Sequence, residues 1–204
     1  MTRINVGVYW GSRRESVKEC AYRFRTYLHS LTSFPVLADW YLKIEDFGVA
    51  SSGPSIRELD DDVIEKLLIA GKSKYPNKDE LGFRVGLWNK RNETESSSLS
   101  VSCGKFTTNT GLSNAVVLTV PRNVEVLSQD VEIALRRLLL LQVEAWSPEW
   151  GAVFSSNSDA LKRRQGNGPF LDKILWLKQG VSVPETLSTE RPVEDMLNGF
   201  LYVG

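Results

Sequence analysis

The stretch INVGVYWGSRRES (residues 4–16) decides how the chain begins to fold, because it passes from a strand pattern to a helix pattern at Gly11. Its first half has apolar side chains at every second position, the period of a half-buried strand: Ile4, Val6, Val8 and Trp10. The glycine allows a turn, and the polar residues behind it are typical of a helix start. Such a turn can bind phosphate, or it can serve simply as a helix cap.

Residues 13–32 have the spacing of an amphipathic helix. Ser12 and Glu15 fit the S-x-x-E pattern of a capping box, in which each side chain satisfies a free backbone amide at the helix start. We therefore expect Ser12→Ala to cost about 1 kcal/mol of stability, and we expect Pro35 to mark the helix end. The apolar stripe of the helix consists of Val17, Cys20, Ala21, Phe24, Tyr27, Leu28 and Leu31.

The order of strand and helix patterns along the chain predicts an α+β fold, with a mostly antiparallel sheet and two long amphipathic helices. Its order of elements would also allow two pseudo-repeated β-α-β halves, although no sequence repeat supports them. We expect one domain over residues 1–204, which leaves open a division into sub-lobes of about 1–110 and 111–204. The further predicted helices are 60–70 and 129–145, and the further strands are 36–44, 81–87, 99–103, 116–120, 152–154, 173–177 and 199–203.

Composition narrows the classes of function. The 204 residues contain 25 basic and 25 acidic side chains, so no overall basic field would hold nucleic acid. Cys20 and Cys103 lie on apolar faces without C-x-x-C spacing, which predicts buried free thiols and a reducing compartment. The N-terminus does not resemble a signal peptide, and the apolar run LLLLQV (138–143) is too short to span a bilayer. We expect a soluble cytoplasmic protein.

Residues with catalytic or metal-binding chemistry are few. The single histidine, His29, has no acid or nucleophile at a meaningful spacing, which argues against a histidine triad or a histidine metal site. The run ELDDDVIE lacks the glycine and the alternating oxygen ligands of a calcium loop, so helix capping by Asp60 or Asp61 explains it better. We predict no catalytic residue, no metal and no cofactor. Asp60, Asp61 and Asp62 could instead form an acidic surface that contacts a partner.

Two groups of motifs resemble a known family. YWGSRRES, CAYRFRTYLHSL and ADWYLK in the first part of the chain, and WSPEWGAV in the last part, are similar to the landmarks of the immunity protein 52 family. Apart from the 81–120 meander and the last twenty residues, the likeness extends over nearly the whole chain. We expect the motif residues to be mainly structural: Tyr9, Trp10, Gly11, Ser12, Glu15, Trp40, Trp146, Trp150 and Gly151.

The resemblance implies a function without catalysis. Members of that family are cytoplasmic antidotes that bind toxins, often toxins with a restriction-endonuclease-like nuclease domain delivered by type VI secretion systems. The partner would be the cognate toxin, with no direct contact to nucleic acid or membrane, and an acidic surface at Asp60–Asp62 would suit a DNA-binding toxin. The resemblance leaves open which surface binds and which oligomeric state the protein has.

Two other classes of protein stay open on the sequence. A small hydrolase or nucleotide-binding enzyme could use the Gly11 turn and the helix amides behind it, with Arg13 and Arg14 holding an anion. Phosphate-binding loops contain more than one glycine, whereas this turn has only Gly11, and no Lys-Ser or Lys-Thr pair follows it. The chain could also be a structural subunit of a larger bacterial assembly.

Overall fold

The computed structural model describes residues 2–42, 55–56, 61–72, 79–109, 111, 113–164, 166, 168–182 and 193–204. In this part of the chain every pair of neighbouring strands is antiparallel, in one sheet of order β2-β3-β4-β5-β1-β6-β7-β9-β8. The strands are β1 Ile4–Trp10, β2 Tyr41–Leu42, β3 Phe83–Trp88, β4 Ser98–Cys103, β5 Asn114–Thr119, β6 Trp150–Ser155, β7 Ile174–Lys178, β8 Val193–Asp195 and β9 Gly199–Val203.

Three helices pack together against the sheet. Helix α1 packs against both α2 and α3, while α3 contacts β1 and β6 and α2 contacts β3. The main core lies between these helices and the sheet, where the side chains of Val6, Val8 and Trp10 are buried. The helices of the described residues are α1 Val17–Leu31, α2 Asp61–Lys72, α3 Val131–Trp146 and α4 Asp159–Arg163.

A smaller apolar cluster forms around the side chains of β1 and β6 that alternate with those of the main core. Tyr9 pairs in register with Trp150, and their rings stack with centroids 4.2 Å apart. Phe154 and Phe170 extend the cluster through an edge-to-face contact at 5.2 Å. Because side chains alternate between the faces of a strand, β1 contributes to both cores.

The structure confirms the α+β fold, the antiparallel sheet and the two long helices. Strands β1 and β9 and helix α3 lie close to their predicted positions, and Cys20 and Cys103 are free and buried as predicted. Strand β8 and the short helix α4 were not predicted, since neither has a clear apolar period. The pseudo-repeated halves and the sub-lobes stay predictions.

The predicted start of the first helix is wrong. Helix α1 begins at Val17, and its capping box is formed by Ser16 and Glu19 rather than by Ser12 and Glu15. The Ser16 backbone amide donates to Glu19 Oε2 at 2.7 Å, and the Glu19 amide donates to Ser16 Oγ at 3.3 Å. Both serine–glutamate pairs fit S-x-x-E, but the Glu15 carboxylate is taken by two arginines, as described below.

The predicted strand at 36–44 is also wrong for most of its length. Pro35–Leu37 form a 3-10 helix, with proline in the position where its fixed φ suits a helix start. The Trp40 indole N–H donates to the Leu37 carbonyl at 2.8 Å, which closes a compact turn before the two-residue strand β2. Residues 43 and 44 lie outside the described part of the chain, as does Asp60, and the side chain of Asp61 is likewise not described.

The corrected capping box gives the first prediction. Ser16→Ala should lower the free energy of unfolding by about 1 kcal/mol, because the Glu19 amide loses its acceptor. Ser12→Ala is the matched control, since Ser12 is also exposed but caps no helix. Urea unfolding of both variants measures the difference. An equal loss in the two variants would contradict the assignment of the cap to Ser16.

The pKa of the Glu19 carboxyl is lowered, first by the hydrogen bond from the Ser16 backbone and then by that from its side chain. A carboxyl whose pKa is lowered by folding stabilises the fold at pH values above the ordinary pKa of glutamate. This stabilisation is lost as the pH falls through the folded-state pKa. The capping contribution of Glu19 should therefore fade in acid. Urea unfolding of the wild-type protein and of Glu19→Gln at neutral and acidic pH checks this. A change in the free energy of unfolding on substitution that is the same at both pH values would contradict it.

Candidate functional site

One stretch from each group of family motifs, YWGS and WSPEW, meets the other at one end of the central strands. Because β1 and β6 are antiparallel neighbours, the end of β1 (Tyr9, Trp10) lies beside the start of β6 (Trp150). The Glu149 backbone amide donates to the Tyr9 carbonyl at 3.0 Å and continues the pairing past the end of the strand. The YWGS and WSPEW stretches, about 140 residues apart in sequence, therefore form one surface.

Two arginines cap the C-terminal end of α3 at this surface. The α3 helix ends at Trp146, and its capping residue Ser147 adopts the left-handed conformation (φ 46°), which leaves carbonyls without helical partners. Arg13 donates to the carbonyls of Trp146 at 2.8 Å and Ser147 at 3.0 Å, and Arg23 donates to that of Ala145 at 3.0 Å. Cations at a helix C-terminus also complement its dipole.

Glu15 joins the two arginines. Its side chain is only 6% exposed, with Oε1 2.8 Å from Arg23 Nε and Oε2 3.2 Å from Arg13 Nε. The Arg13 guanidinium lies 4.7 Å from the centroid of the Trp10 ring, which stacks on Trp146 at 5.7 Å. We call Arg13, Glu15 and Arg23 the arginine clamp. It explains why the motif contains a glutamate that caps no helix.

Asn114 holds the turn from the other side. Its side-chain amide donates to the carbonyls of Gly11 at 2.6 Å and Lys105 at 3.1 Å, and its Oδ1 accepts from the Lys105 amide at 2.8 Å. The Arg13 amide donates to the same Lys105 carbonyl at 2.7 Å. Sequence reasoning missed Asn114, since a single asparagine at the start of a strand gives no pattern that marks it.

Gly11 has a different role from the one expected. Its φ is not in the left-handed region, so the backbone of the turn does not require glycine. A Cβ atom at this position would lie 3.4 Å from Glu149 Oε1 and 3.7 Å from Oε2. The missing side chain instead leaves space beside the Glu149 carboxylate.

That space is part of a groove of about 470 Å³, which we call the turn groove. Burial raises the pKa of Tyr9 in its wall to about 12, against a lowering by Arg164, so the Tyr9 phenol stays neutral at physiological pH. The described residues that line the groove are Tyr9, Trp10, Gly11, Ser12, Thr107, Thr108, Asn109, Ser113, Glu149, Trp150 and Gly168.

The turn groove offers binding chemistry rather than a set of reacting groups. Within the described residues, no hydrogen bond joins one of its hydroxyls to a base, and no group of three His, Cys, Asp or Glu could hold a metal ion. Lys105 is nearby, but its ammonium donates to the Ser113 backbone carbonyl at 2.8 Å, and burial lowers its pKa. His29 lies elsewhere, in a separate cavity of about 230 Å³ beside Trp40.

The other predicted site residues are dispersed. Trp40 and Trp146 are core residues, and a Cβ at Gly151 would meet Val8 and Leu139, so glycine allows α3 to approach the sheet there. Asp62 is exposed on α2, which packs on β3 and is separated from β1 by β4 and β5. The structure therefore does not bring Asp62 to the turn groove.

The predicted anion site loses its geometry. Because α1 begins at Val17, the Gly11 turn does not lead directly into helix amides. Arg13 is engaged by the α3 carbonyls, and the Arg14 guanidinium lies 4.9 Å from the centroid of the Phe106 ring.

Among the helices that the structure describes, none has both the length and the apolar composition to cross a bilayer.

Three helices on one face of an antiparallel sheet, with a groove formed where the YWGS and WSPEW stretches meet, define an α+β protein whose site is suited to binding. The family model of immunity protein 52 matches residues 3–196, and the chain belongs to this family. A search of curated proteins finds no significant match.

One solved structure illustrates the likeness in fold. The chain is similar to the T6SS protein PA0821 of Pseudomonas aeruginosa, with a TM-score of 0.53 at 9% sequence identity. The match covers 100% of this chain and 68% of that chain. At so low an identity, the likeness shows a shared fold.

The arginine clamp gives a prediction of stability. Glu15→Gln should lower the free energy of unfolding by about 2 kcal/mol, because two partly buried guanidinium groups lose the carboxylate between them. Glu144→Gln is the control, since Glu144 is an exposed glutamate on α3. Urea unfolding measures both variants. A loss below about 0.5 kcal/mol for Glu15→Gln, the range of ordinary surface substitutions, would contradict a stabilising role for the clamp.

Proposed function

We propose that the protein binds and neutralises a cognate secreted toxin, and that this toxin is a DNase effector of a type VI secretion system. The observation that carries the proposal is the match of the immunity protein 52 model over residues 3–196. Neutralisation takes place in the cytoplasm of the protected cell, with the toxin as partner and without direct contact to nucleic acid or membrane.

The geometry supports binding rather than catalysis. The arginines that could have held an anion stabilise a helix end or stack on an aromatic ring, and the described lining of the turn groove contains no nucleophile paired with a base. The groove brings the two family motifs together, which makes it the first candidate for a contact surface. The T6SS protein of similar fold supports the assignment to type VI secretion.

The DNase assignment rests on the family resemblance and on charge. Nucleases bind the phosphate backbone through lysine and arginine, so an inhibitor that presents carboxylates can be drawn to the same surface. Asp62 on α2 is exposed and Glu149 lies at the turn groove. Inhibition would follow either from filling the nuclease cleft or from covering a surface that the toxin needs for assembly.

Co-expression tests the immunity role. The effector encoded beside this chain's gene is expressed in a sensitive host with the protein, with an empty vector, or with an immunity protein of a different effector as specificity control. We expect growth only with the cognate protein. Undiminished killing in its presence would overturn the proposal.

A cleavage assay tests the DNase assignment separately. The purified effector should degrade plasmid DNA, and the protein should suppress cleavage at a molar ratio close to one. If the effector kills cells and is neutralised but leaves DNA intact, the DNase assignment is wrong while the immunity role stands.

A further inference from the structure

We propose that the turn groove receives a lysine or arginine side chain of the toxin, with Glu149 as its carboxylate partner. The identity of the partner rests on the proposed function, whereas the preference of the groove for a cationic side chain rests on its own chemistry.

The Glu149 backbone is held in place, and its carboxylate is exposed and unpaired among the described residues. The Glu149 backbone is fixed on both sides, because its amide donates to the Tyr9 carbonyl at 3.0 Å and its carbonyl accepts from the Lys178 amide at 3.0 Å. Its side chain is exposed and forms no hydrogen bond or ion pair with any residue that the structure describes. Glu15, by contrast, is enclosed by two arginines.

Charge favours a cation over a phosphate. Of the described residues that line the turn groove, Glu149 alone carries a formal charge. Two nearby cations donate to backbone carbonyls, Arg13 to those of Trp146 and Ser147 and Lys105 to that of Ser113, and the Arg164 guanidinium lies over the Phe170 ring at 5.7 Å. Among the described lining residues, a phosphate group would therefore meet an unpaired carboxylate and no cation.

The walls suit a guanidinium or ammonium group. The half-buried Tyr9 supplies accessible aromatic surface, whereas Trp10 and Trp150 line the groove with only 3% and 5% of their surface exposed. The stacking of Tyr9 on Trp150 holds both rings in place. A cation near an aromatic ring gains attraction from its π electrons, and arginine also stacks on such rings. Thr107, Thr108 and Asn109 add hydroxyl and amide oxygens to the lining, which can accept further N–H groups.

The size of the groove fits a protruding side chain. Its volume of about 470 Å³ lies in the lower part of the range for ligand pockets, roughly 300–1,000 Å³. A protein that acts on DNA presents lysines and arginines on its binding surface. Insertion of one of them would place this chain over that surface and exclude the DNA.

The first experiment does not need the toxin. Wild-type protein is titrated with N-acetyl-arginine methylamide and, as a neutral match, with N-acetyl-citrulline methylamide, followed by NMR of the amides of Gly11, Glu149 and Trp150. We expect saturable shifts at millimolar concentration with the arginine compound only, and we expect Glu149→Gln to abolish them. Equal shifts with both compounds, no shift with the arginine compound, or larger shifts with inorganic phosphate would overturn the proposal.

The second experiment measures affinity for the catalytically inactivated effector. Glu149→Gln should weaken binding about 30-fold and Glu149→Lys by more, as expected when one member of an interfacial charge pair is lost. The control pair is Glu125→Gln and Glu125→Lys. Glu125 is exposed and follows β5 near Ile4, at the opposite end of β1 from the groove, and it should change affinity less than threefold.

The two proposals fail in different ways. If wild-type protein does not bind the effector, the proposed function is wrong, and the arginine titration alone decides the chemistry of the groove. If wild-type protein binds but folded Glu149→Lys binds within threefold of it, the groove is not the contact and this inference is overturned. Circular dichroism melting of each variant ensures that only folded proteins are compared.

Discussion

The hydrogen bonds from Arg13 and Arg23 to the carbonyls at the end of α3 are the contact on which the site depends. They join the segment that follows β1 to the segment that precedes β6. The chain therefore leaves β1 and enters β6 in fixed directions. Glu15 between them offsets the repulsion of two cations, and Asn114 fixes the Gly11 turn from the opposite side. The turn groove is the space that remains between these supports.

The central strands explain why aromatic residues concentrate at this end of the molecule. Along β1, Trp10 turns to the helices and stacks on Trp146, while Tyr9 turns the other way and stacks on Trp150. Each ring stabilises a different core, yet both reach the groove because the strand ends there. A structural motif thereby also supplies the walls of a candidate contact surface.

Local patterns predicted those parts of the fold whose burial repeats along the chain. β1 alternates apolar side chains toward the main core and α3 has one buried stripe, and these periods locate both elements well. The helix start was wrong because two overlapping serine–glutamate pairs fit the same capping pattern, and only the three-dimensional position of Arg23 decides which glutamate is free to cap. The strand prediction for residues 36–44 was wrong because an apolar alternation also suits a compact 3-10 turn that buries Trp40.

The sequence by itself determined the α+β class, the two long helices, the buried free cysteines and the family, since each depends on local periodicity or on motif residues read in order. It also placed Trp10 and Trp150 in the motifs, without showing that their surfaces adjoin. Only the tertiary structure decided that Arg13 caps a distant helix, that Gly11 makes room for Glu149, and that Asp62 lies away from the groove. The reason is physical: these roles depend on contacts between residues more than a hundred positions apart, or on different strands of one sheet, and no local period encodes such contacts.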